Sequence, residues 1–309
     1  MKSNKRFIQF LAAVWILLFH LWIPVTATNM ELFLIKTGYI GVDLFFLVSA
    51  YSLADKNIEY VPFIKNRFAN IYTKYVIFAI IAFFYKKMTV IRLIKMLTMA
   101  ELFEKGGGAF LWFIPAIMIF YLCYPLFLRI RGEKKVLIAL IIWIIAVIML
   151  DKLVGYTDLL IVINRIPVIL AGYLLKKKAT GKWYMLSCIP LGIVLVYCFG
   201  YQHKLNIPFT DFYYVLAVPI AIGIFYIGGY IKENRVWEIL STGTLEVYAL
   251  QMIFGVKLSG WLYRNTGNII VTNILVIIIL FIFAIALAKI YKGVIQIIES
   301  NLKGVKNGL

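Results

Sequence analysis

The chain is 309 residues long, 63% hydrophobic and only 15% charged, with a mean hydropathy of +0.92. Those values exclude a soluble globular domain, in which about a quarter of residues are charged and about half are apolar, and they exclude a disordered chain, which needs few apolar residues. The net charge of +18 comes from 32 Lys and Arg against 14 Asp and Glu, set in short connectors between apolar runs. That placement reads as a membrane orientation signal and not as a nucleic-acid footprint, so no nucleic-acid partner is expected.

Taken in chain order, the apolar runs predict spans at about 7–25, 38–54, 68–85, 110–128, 135–150, 158–175, 183–200, 212–230, 239–256 and 269–291. Each is close to the roughly 20 residues that a helix needs to cross a bilayer. The runs are long and unbroken, which disfavours a transmembrane barrel. Lys2, Lys5 and Arg6 before the first run, with Val25-Thr26-Ala27 after it, resemble a signal peptide. The run is long enough to span and nine more follow it, so a retained first helix is expected. Segment 86–109 differs: Val90, Ile91, Ile94, Leu97 and Thr98 fall at helical spacing among Lys86, Lys87, Arg92, Lys95 and Lys105, which predicts an amphipathic helix on a membrane surface.

The expected fold class is therefore an all-α polytopic membrane protein, with about ten transmembrane helices and one amphipathic interfacial helix. It forms a single domain over 1–309, without repeats. Cys123, Cys188 and Cys198 lie inside apolar runs with no metal-ligand spacing, so no metal site is expected. With the N-terminus cytoplasmic, the inner connectors and tails hold twenty Lys and Arg and the outer ones ten, while Lys74 and Arg165 fall within spans. Both termini are thus expected in the cytoplasm.

Ionisable groups inside spans are expensive and point to function. His20, near the outer end of the first helix, is one of two histidines; the other, His203, falls in an expected outer loop. A catalytic role and an interfacial, backbone-bonded histidine are both open on position alone. Gln9 and His20 share a helical face, about 16 Å apart along the axis, so a donor entering from the cytoplasm can be held at one and used at the other.

Several segments carry a family resemblance. FIQFLAAVWILLFH (7–20), GYIGVDLFFLVSAYSL (38–53), FIKNRFANIYTKY (63–75), LWFIPAIMIFYLCYP (111–125) and STGTLEVYALQ (241–251) resemble, in order, motifs of the acyltransferase-3 family of integral-membrane acyltransferases. The GVDLFF run is the most specific of them. The resemblance implies a ten-helix core that moves an acyl group, often acetyl, from acyl-CoA to a hydroxyl of a surface glycan or similar acceptor. It also implies that His20 is the catalytic histidine.

This chain departs from the family pattern at four places. Gln9 stands where an Arg or Lys is usual, Asn70 where a second Arg follows Arg67, Tyr72 at a common proline, and Gln251 at a common histidine. Arg6, one turn before Gln9, and Lys74, one turn after Asn70, offer compensation. Arg6, Gln9, Arg67, Asn70 and Lys74 are accordingly the expected acyl-CoA-binding residues, Lys65 being an additional cation nearby. Ordinary positive-inside charge is the competing explanation, and it is weakest for Lys74.

Asp43 is expected to orient His20 through one ring nitrogen and so fix its tautomer; a carboxylate at the water interface is the alternative. Trp112 and Arg165 are placed on the substrate path. For Trp112 the alternative is interfacial anchoring. Arg165 and Asp158, seven residues apart, either form a structural pair or line the acceptor path. Gly106-Gly107-Gly108 reads as a hinge and not as a phosphate loop, since no Gly-Lys-Ser/Thr follows.

The functional expectation is a membrane O-acyltransferase. It takes an acyl group, with acetyl expected, from acyl-CoA as donor substrate to a hydroxyl of an extracellular or lipid-linked glycan. Its setting is the cytoplasmic membrane of a bacterium, in contact with membrane lipid; richness in Lys, Asn and Ile points to a low-GC genome. The alternatives are a glycan flippase or exporter, and a catalytically degenerate acyltransferase-like membrane protein.

Overall fold

The computed structural model describes residues 4–21, 37–56, 58–105, 108–130, 133–155, 157–178, 183–197 and 212–307. Cys198, His203, the signal-like Val25-Thr26-Ala27, Gly106, Gly107, the connector expected at 201–211 and all but Thr37 of the connector expected at 26–37 lie outside the described residues. Among the described residues the chain is helical and carries no strand. We number the helices α1 (Lys5–Phe19), α2 (Ile40–Leu53), α3 (Tyr60–Lys86), α4 (Val90–Leu97), α5 (Phe113–Leu128), α6 (Glu133–Val154), α7 (Asp158–Ile163), α8 (Ile166–Lys178), α9 (Cys188–Leu195), α10 (Val218–Ile227), α11 (Arg235–Thr242), α12 (Thr244–Leu250), α13 (Val256–Thr266) and α14 (Ile269–Asn307).

Among the described residues, four stretches are long and apolar enough to cross a membrane: Tyr60–Lys86, Lys134–Leu153, Asp158–Lys177 and Ile269–Gln296. A fifth arises if Arg235–Thr242 and Thr244–Thr266, bent by 41° at Gly243, form one broken span. Ile40–Leu53, Phe113–Leu128, Trp183–Leu195 and Val215–Ile227 are shorter apolar helices. The expected third span begins eight residues early, at Tyr60, because its basic first turns continue the same helix. The expected interfacial helix is confined to α4. There Thr89 caps the first turn, accepting from Arg92 N, and Val90, Ile91 and Ile94 face outward while Met96 is buried.

The core is organised around α2, in which eleven residues are buried. Its approach to α1 is set by Gly41, where an added Cβ would stand 2.4 Å from the Ala12 carbonyl oxygen. Its approach to α8 is set by Gly172, whose added Cβ would stand 2.5 Å from the Leu47 carbonyl oxygen. Small residues at these two crossings let the backbones come close, which is how helices gain packing energy where no water drives them together.

The contacts also fix directions. Gly41 lies over Ala12 and Ile16, and Lys5 lies over the Tyr51 ring at 5.7 Å, so α1 and α2 are antiparallel. Lys176 pairs with Asp55 at 3.4 Å just past the end of α2, so α2 and α8 run the same way. The Asp55 carboxyl is held below the usual carboxylate range by its hydrogen bond from Lys177, with Lys176 adding to the effect. Asn4 ties the start of α1 to the segment after α10: it caps Phe7 N at 3.0 Å, while its amide donates to Lys232 O at 3.1 Å. One end of the bundle therefore gathers Asn4, Lys5, Asp55, Lys176, Lys177 and Lys232. α3 starts at that end and runs 27 residues, about 40 Å. Lys86 thus lies at the other end, where α1 closes at His20.

The expected continuous helix over 158–175 is interrupted at Asn164 and Arg165. Pro167 explains the break: it has no N–H to give to the carbonyl of Ile163, four residues back. That carbonyl instead accepts the indole N–H of Trp143 at 3.0 Å. The interruption turns Arg165 into the bundle.

Candidate active site

His20 caps the C-terminus of α1, its backbone N–H donating to Leu17 O at 3.1 Å. The ring is half-buried and meets Phe19 edge-on at a centroid distance of 5.0 Å. Among the described residues, no hydrogen bond or ion pair engages the imidazole.

The next residue, Leu21, lies against the π turn Gln251–Gly255 that joins α12 to α13. A Cβ added at Gly255 would stand 3.7 Å from Leu21 Cδ2 and 3.5 Å from Gln251 Cβ. Gln251 is 1% exposed, and neither its amide nitrogen nor its oxygen has a partner among the described residues. Buried amides are almost always hydrogen-bonded, and π turns inside α-helices concentrate at functional sites. The sequence singled out Gln251 only as a departure from a family histidine. The signal for its importance, a buried amide with nothing to bond, exists only in three dimensions.

Asp43 is not placed to orient His20. Its level on the antiparallel α2 corresponds to Ala12, eight residues or about 12 Å down the α1 axis from His20. Its Oδ1 instead accepts from Arg165 Nη1 at 2.7 Å, both side chains being 1% exposed. Asp43 Oδ2 has no hydrogen-bond partner among the described residues. Arg165 is correspondingly not paired with Asp158, whose Oδ2 accepts the backbone N–H of Ala109 at 2.6 Å. Helical spacing suggested the Asp158–Arg165 pair, and the Pro167 break removes that spacing. Arg165 on the substrate path is corrected in the same sense: it is committed to a buried carboxylate.

The residues expected to bind acyl-CoA are not gathered around one void. Arg6 pairs with Glu238 on α11 at 3.1 Å, with both side chains largely exposed. Lys74 pairs with Glu246 on α12 at 2.5 Å, Glu246 being 3% exposed. Asn70 donates to Asn66 O in its own helix at 2.8 Å. Gln9 is half-buried on α1. Arg67 differs from the other two cations: it stacks on Phe63 and Tyr121, at 5.5 and 5.1 Å from their centroids, and no carboxylate pairs with it among the described residues. Stacking leaves the planar fork of guanidinium donors open to a phosphate. Arg6 and Lys74 do share one feature, since their partners both lie on the bent α11–α12 arm.

Trp112 precedes α5, half-buried and edge-on to Phe113 at 6.4 Å. Phe113 N in turn donates to Tyr248 Oη at 3.3 Å, linking the Trp-led helix to α12. Among the described residues no group of three or more His, Cys, Asp or Glu is placed to hold a metal ion.

No curated protein and no solved structure matches the chain. A family model described as an acyltransferase domain matches residues 6–291, a stretch that contains His20, the α2 run around Asp43, Arg67, Trp112 and Gln251. Helices long and apolar enough to cross a membrane, together with that match over nearly the whole chain, place this protein in the acyltransferase-3 family as a multi-pass membrane acyltransferase.

Proposed function

We propose that this chain transfers an acyl group, acetyl being the expected one, from acyl-CoA to a hydroxyl of an extracellular or lipid-linked glycan, with His20 as general base. The observation that carries the reading is the contrast in engagement. Asp43, Lys74 and Arg6 are each held by an opposite charge, whereas the His20 imidazole, partly buried at a helix end, has no partner among the described residues. Neutral imidazole removes the proton of the acceptor hydroxyl, and the oxygen attacks the thioester carbonyl. As the C–S bond breaks, the CoA sulfur leaves and takes the proton from the imidazolium. The buried Gln251 amide, one residue layer from Leu21, is the group we assign to hydrogen-bond the acyl carbonyl as negative charge grows on it.

Arg67 is the cation best prepared for a CoA phosphate, followed by Arg6, whose exposed ion pair is easily exchanged. Lys74 binds phosphate only by leaving Glu246. The proposed setting is a bacterial cytoplasmic membrane, with about ten spans and both termini in the cytoplasm. The convergence of Lys5, Lys176, Lys177 and Lys232 at the end opposite His20 supports that orientation, since these residues lie in connectors expected to be cytoplasmic.

The engagement of Arg6 and Lys74 by carboxylates favours one second reading, a degenerate family member that no longer holds acyl-CoA. The test is incubation of the purified protein with labelled acetyl-CoA and cell-surface glycan. Label transferred to glycan hydroxyls supports the acyltransferase, and absence of acyl-CoA binding supports the degenerate reading.

A further inference from the structure

A groove of about 450 Å³ opens at the surface of the bundle between the end of α3 and helices α13 and α14. Its walls include Tyr85, Phe254, Leu258, Trp261 and Phe283, and one cation, Lys257, lies on it. Trp261 and Phe283 are 55% and 60% exposed, as suits side chains that meet hydrocarbon.

The charges at this groove are unusual for the molecule. Lys257 Nζ sits over the Tyr85 ring at 4.8 Å, and Lys86 Nζ sits over the Phe110 ring at 4.3 Å. Lys86 is close enough to Lys257 and Arg92 to be repelled by both. Arg92 is neutralised by Glu101 at 3.1 Å, but among the described residues no carboxylate pairs with Lys86 or Lys257. Another apolar groove, of about 340 Å³ beside Lys74, has its cation paired with Glu246. The first groove thus combines hydrocarbon walls with one uncompensated positive charge on it, Lys257, and a second, Lys86, next to its wall residue Tyr85. α4 follows the groove's Tyr85 closely in sequence, with Val90, Ile91 and Ile94 outward, which sets the cations at the level where a bilayer carries its phosphates.

We propose that this groove is a binding site for a phospholipid whose headgroup carries a net negative charge, with one hydrocarbon chain along Tyr85, Phe254, Trp261 and Phe283 and the phosphate against Lys257 and Lys86. The site lies at the same end of the bundle as His20, and its wall residue Phe254 belongs to the π turn that contacts Leu21. The inference stands independently of acyl transfer, because binding is read without turnover.

The experiment uses the full chain in phosphatidylcholine nanodiscs, titrated with lipids brominated on one chain. The readout is the part of the tryptophan quenching that disappears in Trp261→Phe. Brominated phosphatidic acid is expected to quench that part at roughly tenfold lower mole fraction than brominated phosphatidylcholine, each lysine near the surface contributing a several-fold preference. The double variant Lys86→Gln/Lys257→Gln, at two solvent-facing positions, is expected to equalise the two lipids. Equal quenching by both lipids in the unaltered protein overturns the proposal. So does a preference that survives in the double variant.

Discussion

Arg165 and Asp43 stand 122 residues apart in the chain and 2.7 Å apart in the fold, both sealed from solvent. The pair joins the break between α7 and α8 to the central helix α2. Removing two charges from a polar medium is costly, and mutual attraction with good geometry repays that cost. The pair is therefore worth little against a well-packed apolar replacement, yet breaking it leaves one buried charge uncompensated. Arg165→Ala or Asp43→Ala is expected to cost about 3–5 kcal/mol. The double variant Asp43→Leu/Arg165→Met is expected to recover most of the loss. Thermal unfolding in detergent reads both, and additive losses in the double variant would refute the coupling.

The same reasoning applies at Lys74, with a different partner from the one the sequence proposed. Glu246 is 3% exposed, and its Oε2 has no partner among the described residues. Lys74→Ala is expected to lower stability and expression before it affects any donor affinity. Lys74→Met/Glu246→Gln is expected to restore the level of folded protein. A Lys74→Ala protein of full stability and raised KM for acyl-CoA would return Lys74 to the phosphate-binding set.

How much of this was legible beforehand follows from the length scale of each feature. Apolar runs near twenty residues long marked several helices, because hydrophobic length is a property of contiguous sequence. Lys74 inside an apolar run announced that it needed a partner, but not that the partner would be Glu246, 172 residues away. The Asp158–Arg165 spacing misleads because Pro167 breaks the helical continuity on which that spacing depends. Asp43 is a natural candidate partner for His20 in the sequence, because nothing there fixes the relative depth of their two helices. The depth difference of about 12 Å appears only when Gly41 fixes how α1 and α2 slide together. The place of His20 at the end of the first helix is legible, since the apolar run before it marks that helix.

Trp143 offers a local test of the α7–α8 break. Its indole N–H satisfies the Ile163 carbonyl that Pro167 leaves free. Trp143→Phe keeps an aromatic ring and removes the donor, so it is expected to cost about 1–3 kcal/mol. Pro167→Ala combined with Trp143→Phe is expected to cost less than Trp143→Phe alone, since an N–H at 167 can bond the same carbonyl. Unfolding midpoints of the three proteins decide the point; a double variant worse than Trp143→Phe would count against this explanation of the break.

At the proposed donor site, Arg67 is the residue whose fork remains open. A charge-assisted bond to a phosphate contributes about 1.5–3 kcal/mol. Arg67→Ala is therefore expected to raise KM for acyl-CoA about tenfold or more, with a smaller change in kcat. Arg67→Lys is expected to recover only part of the affinity, because an ammonium cannot stack between Phe63 and Tyr121 and bind in two places at once. An unchanged KM in Arg67→Ala would remove this cation from donor binding.

The central claim is that His20 is the base in acyl transfer, and one comparison tests it most directly. Membranes carrying equal amounts of the unaltered protein, His20→Ala or His20→Gln are supplied with labelled acetyl-CoA and glycan, and transferred label is measured. Loss of a general base typically costs about a hundredfold to ten-thousandfold in rate. The account predicts transfer by the unaltered protein and a loss of that size in both variants, with acyl-CoA binding retained. Transfer at an undiminished rate in either variant would contradict it.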